Sequence, residues 1–446
     1  MKPHSQRVIA AADSSAGFLG AWKRLLGGTP VPTLPTRRGR KPRVPLTDVL
    51  PALTFHVMNG PGTLREHFAE LFDEPLADSS WSDRRSRLPW EVFAELMRRA
   101  LRPRATLRRH PDAFWRAWRL LALDGTQFSL TNTPQVSAAT RKPRTRRGHA
   151  AFAKLTTAVL LELGLHNPLA AAVAHDGESE WALAESLLAQ LPAKALLLGD
   201  RLYGCGAFAA RARAACERVG SAFLLRARSE VKAGVVERLS DGSRLVVVPV
   251  YERPGSKKVR DWLRLREIRV RVGRRGHRAT EVRLWTSLLD PVQAPARELG
   301  EVYARRWEHE LYYRELKRQL RKTDLLQSHT VETGAQEIAA LVLASALLAA
   351  ERAHAARGDV PALRLSFGKV LRVATAVWFA IDLGRGVLTD RQLDTIIQRG
   401  YAHMRRFLTP ARRARSCPRA VRQPIKGWPR LMKTESIEAP LEFTIV

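Results

Sequence analysis

Leu120-Leu121-Ala122-Leu123-Asp124-Gly125 is an apolar run that ends in a carboxylate and a glycine. It reads as a buried strand emptying into a turn. The pattern returns at Ala195-Leu196-Leu197-Leu198-Gly199-Asp200. Around these two runs, Lys154 to Leu163, Leu169 to Ala174 and Ala222 to Arg226 read as further strands. Asp176 to Leu191 reads as a helix with Asp176 or Ser179 near its N-cap and Pro192 after its end, and Phe208 to Val219 as another. The order strand, strand, strand, helix, strand, helix, strand predicts an α/β fold built on a mixed sheet. In such a sheet the first and fourth strands can lie side by side, so that Asp124 and Asp200 project from neighbours.

The flanks differ in texture. Residues 1 to about 115 read as helical and basic, with a Pro-rich linker from Pro30 to Pro45 that carries Arg37-Arg38-Gly39-Arg40-Lys41-Pro42-Arg43. Residues 228 to 288 read as alternating, β-branched strands separated by Asp-Gly, Pro-Gly and Gly-Arg-Arg-Gly turns. A helix then starts near Pro295, and more helices follow at roughly 330 to 355 and 360 to 405. After Pro410 the chain is a basic, Pro-punctuated tail. The predicted division is therefore 1–115, 116–227, 228–288, 289–330 and 331–446.

Charge narrows the function. The 446 residues carry 75 Lys plus Arg against 43 Asp plus Glu, a formal charge of +32. Self-repulsion of that size calls for an anionic partner, and nucleic acid converts such charge into affinity through counterion release. A membrane surface fits less well, because no single basic amphipathic helix carries the charge. The apolar runs look too short or too interrupted to span a bilayer, and the N-terminus lacks an apolar signal core. The expected location is thus cytoplasmic. Cys205, Cys216 and Cys417 have no metal-ligand spacing and read as free thiols.

The segment Tyr303-Ala-Arg-Arg306-Trp-Glu-His-Glu310-Leu-Tyr-Tyr-Arg-Glu-Leu-Lys317 has the spacing Y-x2-R-x3-E-x6-K. At roughly 100° per residue, the four named positions fall within about 60° around a helix. One stripe over about four turns then carries an aromatic hydroxyl, a carboxylate and two cations. Such a face can hold a metal ion and a phosphate backbone, or it can be a solvated face of ion pairs. The two strand-end aspartates favour the former. Carboxylates brought within a few ångströms repel unless a divalent cation neutralises them, and Mg²⁺ prefers oxygen ligands. Two such ions, roughly 3.5–4 Å apart, suit an in-line phosphoryl displacement.

With these residues together, the chain resembles a bacterial insertion-sequence transposase with a DDE triad, more narrowly the fourth insertion-sequence family with its Y-x2-R-x3-E-x6-K signature. Asp124-Gly125-Thr126, Asp200-Arg201-Leu202-Tyr203-Gly204 and Thr286-Ser-Leu-Leu-Asp-Pro support the match. The resemblance covers about 40 to 430. It implies a ribonuclease H-like core with a β-rich insertion before the Glu, flanked by an all-α N-terminal domain and C-terminal helices. It implies that Asp124, Asp200 and Glu310 bind catalytic Mg²⁺, with Mn²⁺ as a substitute. It also implies that Tyr303, Arg306 and Lys317 contact phosphates at terminal inverted repeats. Cut-and-paste cleavage through a hairpin, strand transfer into target DNA and a homodimer on DNA follow from the family alone. A repressor that only binds terminal repeats, and a metal-dependent nuclease without strand transfer, are the rival functions.

Other residues have weaker claims. Arg38-Gly-Arg40-Lys-Pro42 resembles a minor-groove hook interrupted by Lys41, or is a solvated linker. Arg144, Arg146 and Arg147 lie in the loop after the first strand and are expected to bind a DNA strand. Arg84, Arg85 and Arg87 are candidates for an end-binding helix. Trp285 is a candidate for stacking on a displaced base, with core packing as the alternative. Trp307 is expected to pack its helix against the sheet, Glu308 and Glu315 to form surface ion pairs, and His149, His175 and His309 to have structural or DNA-contact roles.

Overall fold

The computed structural model describes residues 17–28, 30, 45–59, 62–72, 77–145, 148–252, 256, 258–274, 277–323, 325–358, 360–410, 415–416, 437–438 and 442–445. The chain is a mixed α/β protein that divides into two compact units. One comprises Met1–Gln190 with Glu308–Thr409, the other Leu191–Trp307 with Pro410–Val446.

The first unit holds an antiparallel sheet of β1 (Trp118–Ser129), β2 (Lys154–Glu162) and β3 (Asn167–Val173) in the order β3-β2-β1. Leu120, Leu121, Ala122 and Leu123 are buried, as the apolar run requires. The strand does not end at Asp124, however. It runs on to Ser129, with Asp124 opposite Val159, Gly125 opposite Ala158 and Gln127 opposite Thr156. Backbone pairing with β2 carries the chain straight through the Asp-Gly pair that reads locally as a turn. Ser179, not Asp176, caps the Glu180–Leu187 helix, accepting a bond from Ala182 N at 3.2 Å.

Helices form the rest of this unit. Val331–Ala356 is opened by a capping box in which Thr330 Oγ1 accepts from Thr333 N at 3.0 Å. By length and composition it could cross a membrane, but 89% of its most apolar window is buried inside the protein, which marks a core helix. Val49–Met58, Trp90–Ala100 and Phe367–Gly384 pack on it. Phe18 of the Gly17–Leu26 helix meets Phe55 at 5.0 Å and Trp378 at 5.6 Å between ring centroids. N-terminal and C-terminal helices thus share one core and are not the separate domains expected from composition. Arg85 also belongs to that core. It donates to Ser328 Oγ at 2.8 Å, Thr333 O and Gln336 Oε1, which makes it a structural anchor and not a candidate for reading DNA.

The second unit has β4 (Ala195–Gly199), β5 (Ala222–Arg226), β6 (Gly234–Arg238), β7 (Arg244–Tyr251), β8 (Val259–Arg274), β9 (His277–Thr286) and β10 (Glu442–Ile445). Their order is β4-β5-β9-β8-β7-β6, with β10 also on β8. β4 and β5 are parallel, joined through the Gly206–Arg218 helix; β5–β9, β9–β8, β8–β7 and β7–β6 are antiparallel. Trp285 sits in this sheet fully buried, donating from Nε1 to Glu267 Oε2 at 3.2 Å. No face of its ring is open to a base. Of the two readings of Trp285, stacking on a displaced base and core packing, its burial fits core packing.

Candidate active site

In the first unit, Asp124 is half-buried and its Oδ1 accepts from the Gly125 amide at 2.9 Å. Gly125 is needed for space. A Cβ there would stand 2.2 Å from Cδ of Glu180, so only glycine lets the Glu180 side chain lie against the strand in this arrangement.

The Glu310-bearing helix is tied to the same stretch of sheet by three side chains at positions i, i+4 and i+8. His309 Nε2 donates to Val159 O at 2.9 Å, which assigns its proton to that nitrogen. Tyr313 OH donates to Asp124 O at 2.7 Å, and Lys317 Nζ donates to Gln127 O at 2.7 Å. Lys317 also stands 5.0 Å over the Phe128 ring. Val159 is the cross-strand partner of Asp124, so His309 and Tyr313 grip the two strands at one register position. Glu310, half-buried, lies between these anchors in sequence. The helix that bears Glu310 is thereby seated on the strand that bears Asp124. Tyr313 was not singled out from sequence, and His309 only for a structural or DNA-contact role, because both look like ordinary helix residues until their backbone acceptors are known.

The helix is not the single regular element that the spacing predicts. Ala296–Ala304 ends, Arg305 and Arg306 form a turn, and Trp307–Arg314 begins anew. Glu315–Leu320 is then a π-helix, with Arg321 N bonded to Leu316 O at 2.8 Å. Tyr303, Arg306, Glu310 and Lys317 therefore do not share one ideal stripe. A π turn takes more residues per revolution and shifts the phase of whatever follows.

Glu315 opens the π-helix. It is buried, not a surface ion pair, and bonds His166 Nδ1 at 2.6 Å and Arg352 Nη1 at 3.1 Å. Burial opposes its charge, yet His166 and Arg352 together outweigh burial and hold the carboxyl below its ordinary value of 4.5. A folded-state value below the unfolded one gives stability that is fully present above about pH 4.5. That stability is lost as pH falls through the lower, folded value. Glu315→Gln should lower unfolding stability at pH 7 by about 3 kcal/mol, because Arg352 is left buried without its counter-charge. The deficit should shrink in urea titrations taken progressively below pH 4.5, and a pH-independent deficit there would contradict the assignment. Glu308 likewise turns inward in function, accepting from the Gly164 amide at 2.8 Å.

In the second unit, Asp200 follows β4 directly and is half-buried at the head of the short Arg201–Tyr203 turn. Tyr203 N bonds Asp200 O at 3.0 Å. Tyr303 OH donates to Gly199 O at 3.3 Å, which fastens the Ala296–Ala304 helix to the end of β4 beside Asp200. Arg306 and Trp307 line a mainly apolar groove of about 280 Å³ with Tyr303, Val270 and Val282. Trp307, expected to pack its helix against the sheet, is 48% exposed and lines this groove beside the sheet residues Val270 and Val282.

Arg40, Arg146 and Arg147 lie outside the described residues. Arg144 is described in its backbone only, in the strand Arg144–Thr145 paired with Gly148–His149. Asp124 and Glu310 offer oxygen donors without thiolate or imidazole, a chemistry that fits a hard divalent cation. Among the described residues, no group of three or more His, Cys, Asp and Glu is gathered as a metal site.

Comparison with known proteins adds the class. The family described as Transposase DDE domain matches residues 116–347, more than half of the chain. The chain belongs to this DDE transposase family. It is also 29% identical over 237 residues to the transposase InsG for insertion sequence element IS4 of Escherichia coli (strain K12). That match covers 52% of each protein, so the chain spans about half the length of this relative. The family match bears out the resemblance to a DDE transposase drawn from the motifs.

Proposed function

We propose that the protein is a DNA transposase that cleaves and joins strands at the terminal inverted repeats of an insertion sequence. Its catalytic core is of the ribonuclease H-like kind, with 228–288 as the β-rich insertion, and it works on DNA in the cytoplasm, as a homodimer across two ends. The observation that carries this reading is the bond from Tyr313 to the Asp124 carbonyl, which seats the Glu310 helix on the Asp124 strand. Family membership and the charge of +32 support it from two independent directions.

Asp124, Asp200 and Glu310 are the residues that would hold the divalent cation. When bound, Mg²⁺ or Mn²⁺ would activate the attacking oxygen and stabilise the leaving one in phosphoryl transfer. The chain's own groups do the positioning. Lys317, held along β1, and Arg306, on the turn before the Glu310 helix, supply cations for the phosphates on either side of the scissile bond. Tyr303 orders the approach to Asp200 through the Gly199 carbonyl. Hydrolysis of one strand would free a 3′-hydroxyl at the element's end; its attack on the opposite strand's phosphodiester would form the hairpin and expel the 3′-oxygen of the flanking DNA, the cut-and-paste route of the family.

The test is incubation of the full chain with Mg²⁺ and DNA bearing the inverted repeats that flank its gene. Nicks at the repeat ends, followed by hairpin and joined products on denaturing gels, are expected. Binding without nicking would favour a repressor, and nicks without joined products a simple nuclease.

A further inference from the structure

We infer that the first unit carries a second phosphate-binding groove, distant in sequence from the signature helix, that grips the DNA backbone. This inference rests on the transposase reading. The groove, about 460 Å³, is lined by Arg102, Arg104, Arg109, His110, His354 and Arg357, with no carboxylate in its wall.

Arg104 is the reason for assigning a ligand. Its Nε and Nη2 are buried and have no hydrogen-bond partner among the described residues. The two carboxylates whose fields reach it, Glu162 and Glu351, are engaged elsewhere. Glu162 accepts from the backbone amides of Arg104 and Ala105, from Asn167 and from Arg119. Glu351 accepts from Tyr401 OH at 2.7 Å and faces Arg24 at 3.7 Å. Burial, and then the charge of Arg102, push the Arg104 guanidinium below its ordinary value, so the site is electrostatically short of an anion. A guanidinium remains charged at neutral pH, and buried donors left unpaired are costly. A phosphate oxygen pair matches the planar fork of a guanidinium.

The surroundings suit a backbone rather than a closed anion cage. Arg109, His354 and Arg357 are exposed along the groove. The Val331–Ala356 helix ends with Arg357 in the left-handed region at φ 54° and Gly358 at φ 82°, a helix stop that turns the chain at the groove's edge. Arg357 donates to the neutral Gln398 and Arg102 to a backbone carbonyl, Arg24 O, at 3.1 Å. Neither cation is neutralised by those bonds. His110 Nδ1 accepts from Thr106 N at 3.1 Å, which leaves Nε2 as its N–H donor. A phosphodiester chain is a line of anions, and this is an open row of cations around one unsatisfied fork.

The experiment measures binding of the full chain to a fluorescein-labelled duplex of arbitrary sequence by anisotropy at several KCl concentrations. Arg104→Gln should weaken binding about tenfold and flatten the dependence of log affinity on log salt by ~0.9 for each phosphate lost. Arg109→Gln, exposed and free of structural side-chain bonds among the described residues, should flatten it likewise, and carries the test if Arg104→Gln fails to fold by circular dichroism. Unchanged slopes would overturn the inference. So would inorganic phosphate raising the melting temperature of wild type but not of Arg104→Gln while the DNA slopes stay equal, since the groove would then take a free anion. Wild type that nicks and joins repeat DNA while these slopes stay unchanged removes the groove alone. Wild type that neither binds nor nicks DNA removes the transposase reading, and the groove with it.

Discussion

Glu310→Gln should lower Mg²⁺-dependent cleavage at the terminal repeats by about three orders of magnitude. That corresponds to about 4 kcal/mol of lost transition-state stabilisation, the scale of one charged ligand in phosphoryl-transfer catalysis. The substitution keeps the side chain's shape and removes only its charge. His309 and Tyr313 still pin the helix to Val159 O and Asp124 O, so the fold should melt within a degree or so of wild type. DNA affinity should hold or rise slightly, because one repelling carboxylate is gone. Glu308→Gln is the control two residues away. It weakens the acceptor of the Gly164 amide, a structural bond, and should cost about 1 kcal/mol of stability with cleavage nearly intact. If the two variants lose cleavage equally, or if Glu310→Gln retains it, Glu310 is not the catalytic carboxylate.

The contrast between those two glutamates shows what could be read from sequence. Spacing singles out Glu310 because chemistry at a phosphate needs a carboxylate flanked by cations at defined intervals. Nothing local says that Glu308 reaches Gly164 or that Glu315 is buried. Both look like exposed helix charges, and a charged helix is usually solvated. The partners of Glu315 lie 149 and 37 residues away, so its burial is a fact of tertiary packing. The same limit explains β1. Its apolar half was legible as Leu120 to Leu123, whereas its continuation through Asp124 and Gly125 depends on the register with β2. Trp285 was ambiguous for a related reason: a tryptophan in a β-rich segment is the same letter whether its ring faces a base or Glu267. The break at Arg305–Arg306 and the π turn after Arg314 had no signal at all.

Gly204→Ala should destabilise the second unit by about 3 kcal/mol, near the top of the range for overpacking. The motif Asp200-Arg201-Leu202-Tyr203-Gly204 gives this glycine its place, and the structure gives the reason. Its φ of −80° is open to any residue, so backbone freedom is not what selects it. A Cβ would stand 1.8 Å from the Arg226 carbonyl oxygen and 2.9 Å from Ala227 Cα. Those atoms cannot step aside as a side-chain tip would. Arg226 is paired opposite Leu284, Ala227 N bonds Arg283 O at 2.8 Å, and Arg228 N bonds Gly204 O at 2.9 Å. The clash must therefore move either the β5 end or the turn that begins at Asp200. Gly220→Ala separates this from a generic loss of glycine. Gly220 has nothing within 4 Å but a φ of +62°, so alanine there meets only the left-handed penalty of about 1–2 kcal/mol. Urea midpoints should rank wild type above Gly220→Ala and Gly220→Ala above Gly204→Ala. Cleavage per folded molecule should fall only in Gly204→Ala, whose damage reaches the Asp200 turn. If Gly204→Ala proves no worse than Gly220→Ala, β5 is free to shift, and the close approach of Gly204 to Arg226 does not hold Asp200 in place.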